Sequence, residues 1–167
     1  MFACIDPDQT QDASFEREKE AIEKYIQENP IASEKEFTDP SGAFYMFWEV
    51  STNPERNRLL AADTVRVNYT GKTLDKKAFD TSIEQVAKEN NIFNPARKYE
   101  PASFVLSRLI PGFAFAVSTM YPGEKATVIF PSQLGYGSQG NGAIPPNSPL
   151  IFEIELLQVN KGPNLNP

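Results

Sequence analysis

The sequence LGYGSQGNGAIPPNSPLIF, residues 134–152, joins a glycine-rich loop and a Pro-Pro turn to the start of an alternating apolar strand. Loops of this composition lie at the surface, so this one is expected to display Tyr136 and Ile144 over a cavity. The stretch contains no histidine, cysteine or acidic residue. It therefore indicates a site that works through shape and hydrogen bonding, without a metal or an activated nucleophile.

The chain of 167 residues carries a net charge of −6 that is concentrated near its start. Residues 1–40 contain eleven acidic and four basic residues, a balance of −7, whereas residues 41–167 contain eleven and twelve, a balance of +1. Phosphate contacts need clustered lysine and arginine, so no nucleic-acid partner is expected. Without histidine, and with Cys4 as the single cysteine, neither a Ser-His-Asp triad nor an internal disulfide is available, and no metal or cofactor is predicted.

The first residues are polar and acidic, and residues 1–13 are predicted to be a disordered tether. Phe2-Ala3-Cys4 resembles the end of a bacterial lipoprotein signal, which makes Cys4 a candidate lipid-attachment site; the alternative is a stray thiol. No apolar run approaches the roughly 18 residues of a membrane span, so contact with a membrane is expected only through such a lipid. This interpretation favours the bacterial periplasm or cell envelope, with the cytoplasm as the alternative.

Residues 14–28 place apolar side chains at helical spacing, with Ser14 or Asp12 as the expected cap. The narrow apolar stripe predicts that this helix docks on the domain or pairs with a second copy, so the chain is a monomer or a dimer through this helix. No functional site is expected on it. Residues 33–42 are interpreted as a linker with a single helical turn.

The remaining chain alternates short strands with turn signals and has no repeating strand–helix–strand unit. Strands are predicted at residues 43–51, 64–74, 104–106, 125–130 and 150–159, short helices at 83–90 and 113–120, and a bend at Phe79-Asp80. Four or five strands and one central helix indicate an α+β domain in which an antiparallel sheet wraps over the helix.

Two motifs suggest other functions and are rejected. Residues 135–140 match G-x-G-x-x-G, but Pro145-Pro146 follows where a dinucleotide-binding loop needs a helix. Asp80 has no second acid at a spacing typical of glycosidases, and taken alone it could be a turn residue that bonds to nearby backbone N–H groups.

A series of motifs along the chain resembles the FKBP-type peptidyl-prolyl cis-trans isomerases. The motifs are VRVNYTG (65–71), AFD (78–80), IPGF (110–113), PGEKATVIFPS (122–132), LGYG (134–137) and IPPNSPLIFEIELL (144–157). The resemblance covers residues 43–160 in the family's order. It implies a curved half-barrel sheet around one short helix, preceded by an N-terminal helical extension. The isomerase domain is expected at residues 41–162, after a helix and linker at 14–40 and before a tail at 163–167.

The same resemblance implies an apolar substrate pocket between sheet and helix. Its lining, carried over residue by residue, would be Tyr69, Phe79, Asp80, Phe104, Leu109, Ile110, Phe113, Tyr136, Ile144 and Phe152. Phe113 would form the floor, and Asp80, the Tyr136 hydroxyl and the Ile110 N–H would be the polar groups. Tyr69, Asp80, Phe113 and Tyr136 are the candidate catalytic residues. The implied ligands are proline-containing polypeptides, unfolded or newly exported, and macrolides such as tacrolimus.

Two departures from the family pattern bear on this expectation. The floor is commonly tryptophan, where this chain has Phe113, and residues 83–100 replace a shorter connection beside Asp80 and Phe104. A Phe113 floor is expected to preserve isomerisation but puts macrolide affinity in doubt, whereas residues 83–100 are expected to rim the pocket and narrow substrate choice. They also leave open an alternative, a proline-peptide-binding or chaperone module with little turnover.

Overall fold

A computed structural model describes residues 11–53 and 57–163 of the chain. The helices and strands in this part of the chain are, in order, α1 (Gln11–Glu28), β1 (Lys35–Thr38), β2 (Tyr45–Val50), β3 (Thr64–Thr73), β4 (Ala78–Thr81), α2 (Glu84–Glu89), β5 (Ala102–Val105), α3 (Pro111–Ser118), β6 (Lys125–Phe130) and β7 (Leu150–Asn160). No helix within these residues is both long enough and apolar enough to cross a lipid bilayer.

The seven strands form one antiparallel sheet in the order β1-β2-β6-β7-β3-β4, with β5 also paired to β3. β3 organises this sheet, because it pairs with β7 along its length and with β5 and then β4 on its other side. The register shifts at Arg66/Val67 against β7 and at Gly71/Lys72 against β4. Such bulges bend and twist strands, which helps the sheet to curve around α3.

Alternation along the strands gives the sheet two apolar faces. In β6, Val128 and Phe130 belong to the core shared with α3, whereas Ile129 belongs to a second cluster on the opposite face. We call these the inner and outer faces. On the outer face, Ile22 of α1 is fully buried with Phe47 and Ile129. The period of two therefore places side chains of β2, β6 and β7 alternately in the core shared with α3 and in the cluster that contains Ile22 of α1.

The position of α3 depends on two residues at its start. Pro111 occupies the first turn, where the missing N–H costs no hydrogen bond. A Cβ at Gly112 would lie 2.6 Å from the Phe130 ring, so only glycine permits this close approach of helix and sheet. The approach buries Phe113, the next residue, to 3% exposure.

The predicted mixed class, an antiparallel sheet wrapped around one short helix after an N-terminal helix, is confirmed. The prediction of four or five strands is wrong, because the sheet has seven. Residues 33–42, predicted as a linker with a helical turn, contain the edge strand β1, and the bend predicted at Phe79-Asp80 is the strand β4. Each has four residues, too few for an alternating pattern to be recognised; pairing with β2 and β3 makes them strands.

The helix boundaries also differ from the prediction. α1 already includes residues 11–13, so that part of the predicted tether is helical, and Asp12 and Ser14 lie inside the helix where a cap was expected. Asp12 is in its first turn, where an acidic side chain is favourable beside the helix dipole. The predicted lipid-attachment site, Cys4, and residues 164–167 of the predicted tail lie outside the described residues.

Candidate functional site

A cluster of aromatic rings lies at the start of α3, and we call it the aromatic floor. The ring of Phe113 makes edge contacts with Tyr69, Phe104 and Phe152, at centroid separations of 6.0, 6.2 and 5.1 Å. Phe79 in turn makes an edge contact with Phe152 at 5.7 Å. Edge-to-face pairs are a favourable geometry for aromatic rings, so these side chains support one another around Phe113.

A glycine in β3 makes room for this arrangement. A Cβ at Gly71 would stand 2.6 Å from the ring of Phe79 and 2.7 Å from that of Phe152. Both rings therefore lie directly over the strand backbone. Any larger residue at this position would push them apart.

A hydrogen-bonded pair of polar side chains borders the aromatic floor. The Tyr69 hydroxyl donates to Asp80 Oδ2 at 2.6 Å, and Asp80 Oδ1 accepts the Thr81 N–H at 2.9 Å. β3 supplies Tyr69 and β4 supplies Asp80, so the pairing of these two strands brings the groups together. Asp80 thus bonds to a neighbouring backbone N–H, as its turn-residue interpretation expected, and also fixes the tyrosine.

Arg97 completes this cluster and was not predicted from the sequence. Its guanidinium forms an ion pair with Asp80 through Nη1, and Nη2 donates to the Tyr69 hydroxyl at 3.3 Å. The Asp80 carboxylate raises the pKa of Arg97. Arg97 lies within residues 83–100, the segment expected to rim the pocket. Residues 83–100 contain three cations, Lys88, Arg97 and Lys98, and no motif in the sequence marks Arg97 as the partner of Asp80.

Electrostatics hold Tyr69 in its neutral form. Burial and then the hydrogen bond to the Asp80 carboxylate raise the pKa of Tyr69 to about 12, with Arg97 opposing the shift. The hydroxyl is therefore a hydrogen-bond donor at any physiological pH. With Thr81, Tyr69 and Arg97 bound to it, Asp80 is an occupied acceptor whose clearest role is to orient its neighbours.

The loop between β6 and β7 brings two further predicted lining residues to the same core. Ile144 is buried, and Tyr136 is partly buried against the same core as the floor. The Tyr136 hydroxyl makes no hydrogen bond to any of residues 11–53 and 57–163, and the backbone N–H of Ile110 has no acceptor among them either. These groups are consequently the free donors next to the floor.

The structure thus gathers the predicted lining into one region. Nine of the ten residues, all but Asp80, belong to or pack against the inner core; they are Tyr69, Phe79, Phe104, Leu109, Ile110, Phe113, Tyr136, Ile144 and Phe152. Asp80 is joined to them through Tyr69. Within the described residues, no group of three His, Cys, Asp or Glu side chains could hold a metal ion.

Two hollows adjoin this region. A groove of 370 Å³ runs between the β3–β4 turn and residues 143–149, and Phe79 lines it together with Pro145. A hollow of 180 Å³ lies under α2, between Val86 and Glu153, and shares only Tyr69 with the site. The first continues the aromatic region past Phe79, whereas the second is separated from Phe113 by the sheet.

Comparisons with known proteins are consistent with this geometry. The family model for FKBP-type peptidyl-prolyl cis-trans isomerases matches residues 56–157. A probable FKBP-type peptidyl-prolyl cis-trans isomerase of Haemophilus influenzae is 33% identical over 156 residues, which are 89% of this chain and 58% of the relative. The outer membrane protein MIP of Legionella longbeachae is 36% identical over 123 residues, 73% of this chain and 46% of the relative.

The fold has solved counterparts as well. The crystal structure of FkpA from Escherichia coli superposes with a TM-score of 0.66 at 27% identity, covering 92% of this chain and 63% of that one. The chain spans about half the length of the curated relatives it matches. The match to the family model, over more than half of the chain, is decisive. The chain therefore belongs to the FKBP-type peptidyl-prolyl cis-trans isomerases.

Proposed function

We propose that this chain accelerates rotation about Xaa-Pro peptide bonds in unfolded or newly exported polypeptides. The observation that carries the proposal is the aromatic floor, in which Phe113 is enclosed by Tyr69, Phe104 and Phe152. The partly exposed ion pair of Asp80 and Arg97 lies beside it. Membership of the family supports the same activity. The site residues carried over from the family are part of this proposal.

The reaction suits a site without acid, base or nucleophile. Rotation about a peptide bond crosses a barrier of roughly 18–20 kcal/mol, because amide resonance is lost in the twisted state. The twisted amide has a less polarised carbonyl and depends less on water than the planar amide does. An apolar pocket therefore binds the transition state better than the ground state, and this differential binding is the catalysis.

Each polar group near the floor has a role in this scheme. The proline ring would pack on Phe113, and the free Tyr136 hydroxyl and Ile110 N–H would hold substrate carbonyls. Asp80 and Arg97 would keep the Tyr69 ring and hydroxyl in place at the side of the pocket. No proton is transferred in this scheme.

A second candidate function, a proline-peptide-binding or chaperone module with little turnover, is favoured by two observations. The floor is Phe113, whose ring offers no N–H, and the side chain of Arg97 is tied to the Asp80 carboxylate beside it. A site of this kind could bind proline while adding little to its rotation. Turnover distinguishes the two candidates.

Location and assembly are proposed on separate grounds. A relative in Legionella longbeachae is named an outer membrane protein, which supports a bacterial envelope location for this chain. The apolar stripe of α1 is occupied, since Ile22 is fully buried on the outer face. This use of the stripe favours a monomer, and sedimentation at several concentrations would show whether the chain dimerises.

The activity is tested by protease-coupled isomerisation of a short peptide with leucine or phenylalanine before proline, with and without tacrolimus. Acceleration that the macrolide blocks would support both the enzyme and its pocket. Acceleration that resists the drug would support the enzyme and assign the altered pocket to Phe113 or to residues 83–100. Peptide binding without acceleration would favour the second candidate.

A further inference from the structure

A buried carboxylate of α1 contacts the loop that follows β6. Glu18 is 6% exposed. Its Oε2 accepts the Ser132 N–H at 2.6 Å, and its Oε1 accepts the Ser132 hydroxyl at 2.8 Å. Ser14, one turn earlier in α1, donates to the same Oε1 at 3.3 Å. One side chain of the N-terminal helix thus satisfies both donors of Ser132.

Ser132 opens the turn that carries Tyr136. The Leu134 N–H donates to Pro131 O at 3.0 Å, and the Gly135 N–H donates to Ser132 O at 2.8 Å. Tyr136 follows directly. A Cβ at Gly135 would lie 2.8 Å from Leu150, so the backbone here is closely packed against β7. The position of Ser132 therefore determines where the backbone places Tyr136.

Packing alone does not require a charge at residue 18. Ile22 already provides α1 with a fully buried apolar contact on the sheet. Burying a carboxylate costs solvation free energy, and the cost is offset only when its oxygens receive good hydrogen bonds. Glu18 accepts hydrogen bonds from both donors of Ser132. This arrangement is better suited to fixing the position of Ser132 than to strengthening the packing of α1 on the sheet.

We propose that Glu18 is a positioning residue of the isomerase site: it holds the turn at residues 132–135 and so places the Tyr136 hydroxyl over the aromatic floor. The proposal rests on the proposed function for its kinetic part only. It makes α1 a component of the site, contrary to the expectation that this helix has no functional role.

A double-mutant cycle on kcat/KM tests the proposal. Glu18→Ala should lower kcat/KM by about two- to tenfold, the kinetic equivalent of losing one hydrogen bond. In a Tyr136→Phe background the same substitution should change kcat/KM by less than about twofold, because the hydroxyl it positions is gone. Glu18→Gln, which keeps one acceptor oxygen, should give an intermediate loss. Glu20→Gln, on the exposed side of α1, is the matched control and should leave kcat/KM unchanged.

A purely structural role predicts a different result. It would lower stability in both backgrounds and leave the kinetic effect of Glu18→Ala equal in each. Equal effects in the two backgrounds, or no effect of Glu18→Ala on an active enzyme, would overturn the proposal. Thermal unfolding of each variant separates loss of fold from loss of positioning.

Hydrogen exchange supplies a readout that does not depend on activity. The amides of Leu134 and Gly135 should exchange faster in Glu18→Ala than in Glu20→Gln, because Glu18 no longer holds Ser132 and the turn that protects these amides. Unchanged exchange at these amides would contradict the proposal even if the wild-type chain proved inactive. If the wild-type chain is inactive but exchange is faster in Glu18→Ala, the proposed function is rejected. The role of Glu18 in holding the turn is then still supported.

Discussion

At the side of the site, Tyr69, Asp80 and Arg97 form a cluster that depends on individual hydrogen bonds. Asp80 lies between the other two and is bonded to both. Arg97 also reaches the Tyr69 hydroxyl, so each member touches the other two. Removing one member should therefore affect the orientation of the others more than the stability of the fold.

Arg97→Ala should lower kcat/KM by about two- to tenfold, because one hydrogen bond that fixes Tyr69 is lost. The ion pair is partly exposed, with 38% of each side chain accessible, so the free energy of unfolding should fall by less than about 1 kcal/mol. Arg97→Lys should not restore activity, since a single ammonium group cannot reproduce the two contacts that the planar guanidinium makes with Asp80 and Tyr69. Lys98→Ala is the control, because the only ion pair of Lys98 with residues 11–53 and 57–163 is that with Glu100. Full activity in Arg97→Lys would argue against a geometric role.

Asp80→Asn should lower the pKa of Tyr69 from about 12, because the carboxylate that favours the neutral phenol is removed. The folded pKa of Tyr69 lies above its unfolded value of about 10, so its contribution to stability is complete below pH 10 and is lost as pH rises through 12. This alkaline loss should be smaller in Asp80→Asn. Phenolate absorbance during a pH titration measures the shift, with Tyr69→Phe identifying the transition. An unchanged titration would mean that Asp80 does not act on Tyr69.

Residues 83–100 are stabilised by aromatic and cation–π contacts between side chains of this segment. Phe93 and Tyr99 stack at 5.5 Å, Lys88 lies 5.0 Å from the Phe93 ring, and Arg97 lies 5.3 Å from the Tyr99 ring. The segment therefore presents Arg97 to Asp80 from an ordered frame. Phe93 remains 40% exposed at its outer edge.

α1 is the other element whose contribution can be isolated. Ile22→Ala should lower the free energy of unfolding by about 2–5 kcal/mol, because it removes a fully buried side chain and leaves a cavity under the helix. Urea unfolding followed by circular dichroism measures the change. Glu20→Ala, at an exposed position of the same helix, should change it by less than about 0.5 kcal/mol. A small effect of Ile22→Ala would show that α1 is not stably docked.

At the scale of the whole molecule, Asp63 joins the start of β3 to the end of β7. Its oxygens accept the Leu60 N–H and the Gly162 N–H, both at 2.9 Å, and Lys161 lies 3.1 Å away. The side chain is 2% exposed. This carboxylate therefore fastens the chain segment before the central strand to the segment after the last one.

Asp63 should also contribute to the loss of stability in acid. The hydrogen bond from the Leu60 N–H, followed by those from Gly162 and Lys161, holds the pKa of Asp63 below its ordinary value despite burial. A lowered folded pKa means that the contribution is present above the unfolded value of about 4 and is lost as pH falls through the folded pKa. Urea unfolding at several pH values should thus show a shallower acid loss in Asp63→Asn than in the wild type. An acid loss as steep in Asp63→Asn as in the wild type would contradict this role of Asp63.

The sequence predicts an element of this structure only where its apolar pattern is long enough to be recognised. The apolar run of β6 between turn residues was predicted with its observed bounds, residues 125–130. β1 and β4 were missed because their four residues become strands only through pairing with distant partners. Arg97 and Glu18 were missed for a related reason, since a charged residue on a loop or helix surface looks solvated until the fold shows its partner.

We propose that the aromatic floor at Phe113 catalyses rotation about Xaa-Pro bonds. Its most direct test is the cis–trans exchange rate of an Xaa-Pro peptide, measured by NMR with catalytic amounts of protein. Phe115→Ala is the matched control, because Phe115 lies on the same helix but is 41% exposed and packs on Phe44. Phe113→Ala should cost about 3–5 kcal/mol of stability, so circular dichroism must confirm that it is folded. We expect the wild type and Phe115→Ala to accelerate exchange and folded Phe113→Ala to lose this effect. No acceleration by the wild type, or equal acceleration by Phe113→Ala, would contradict the account.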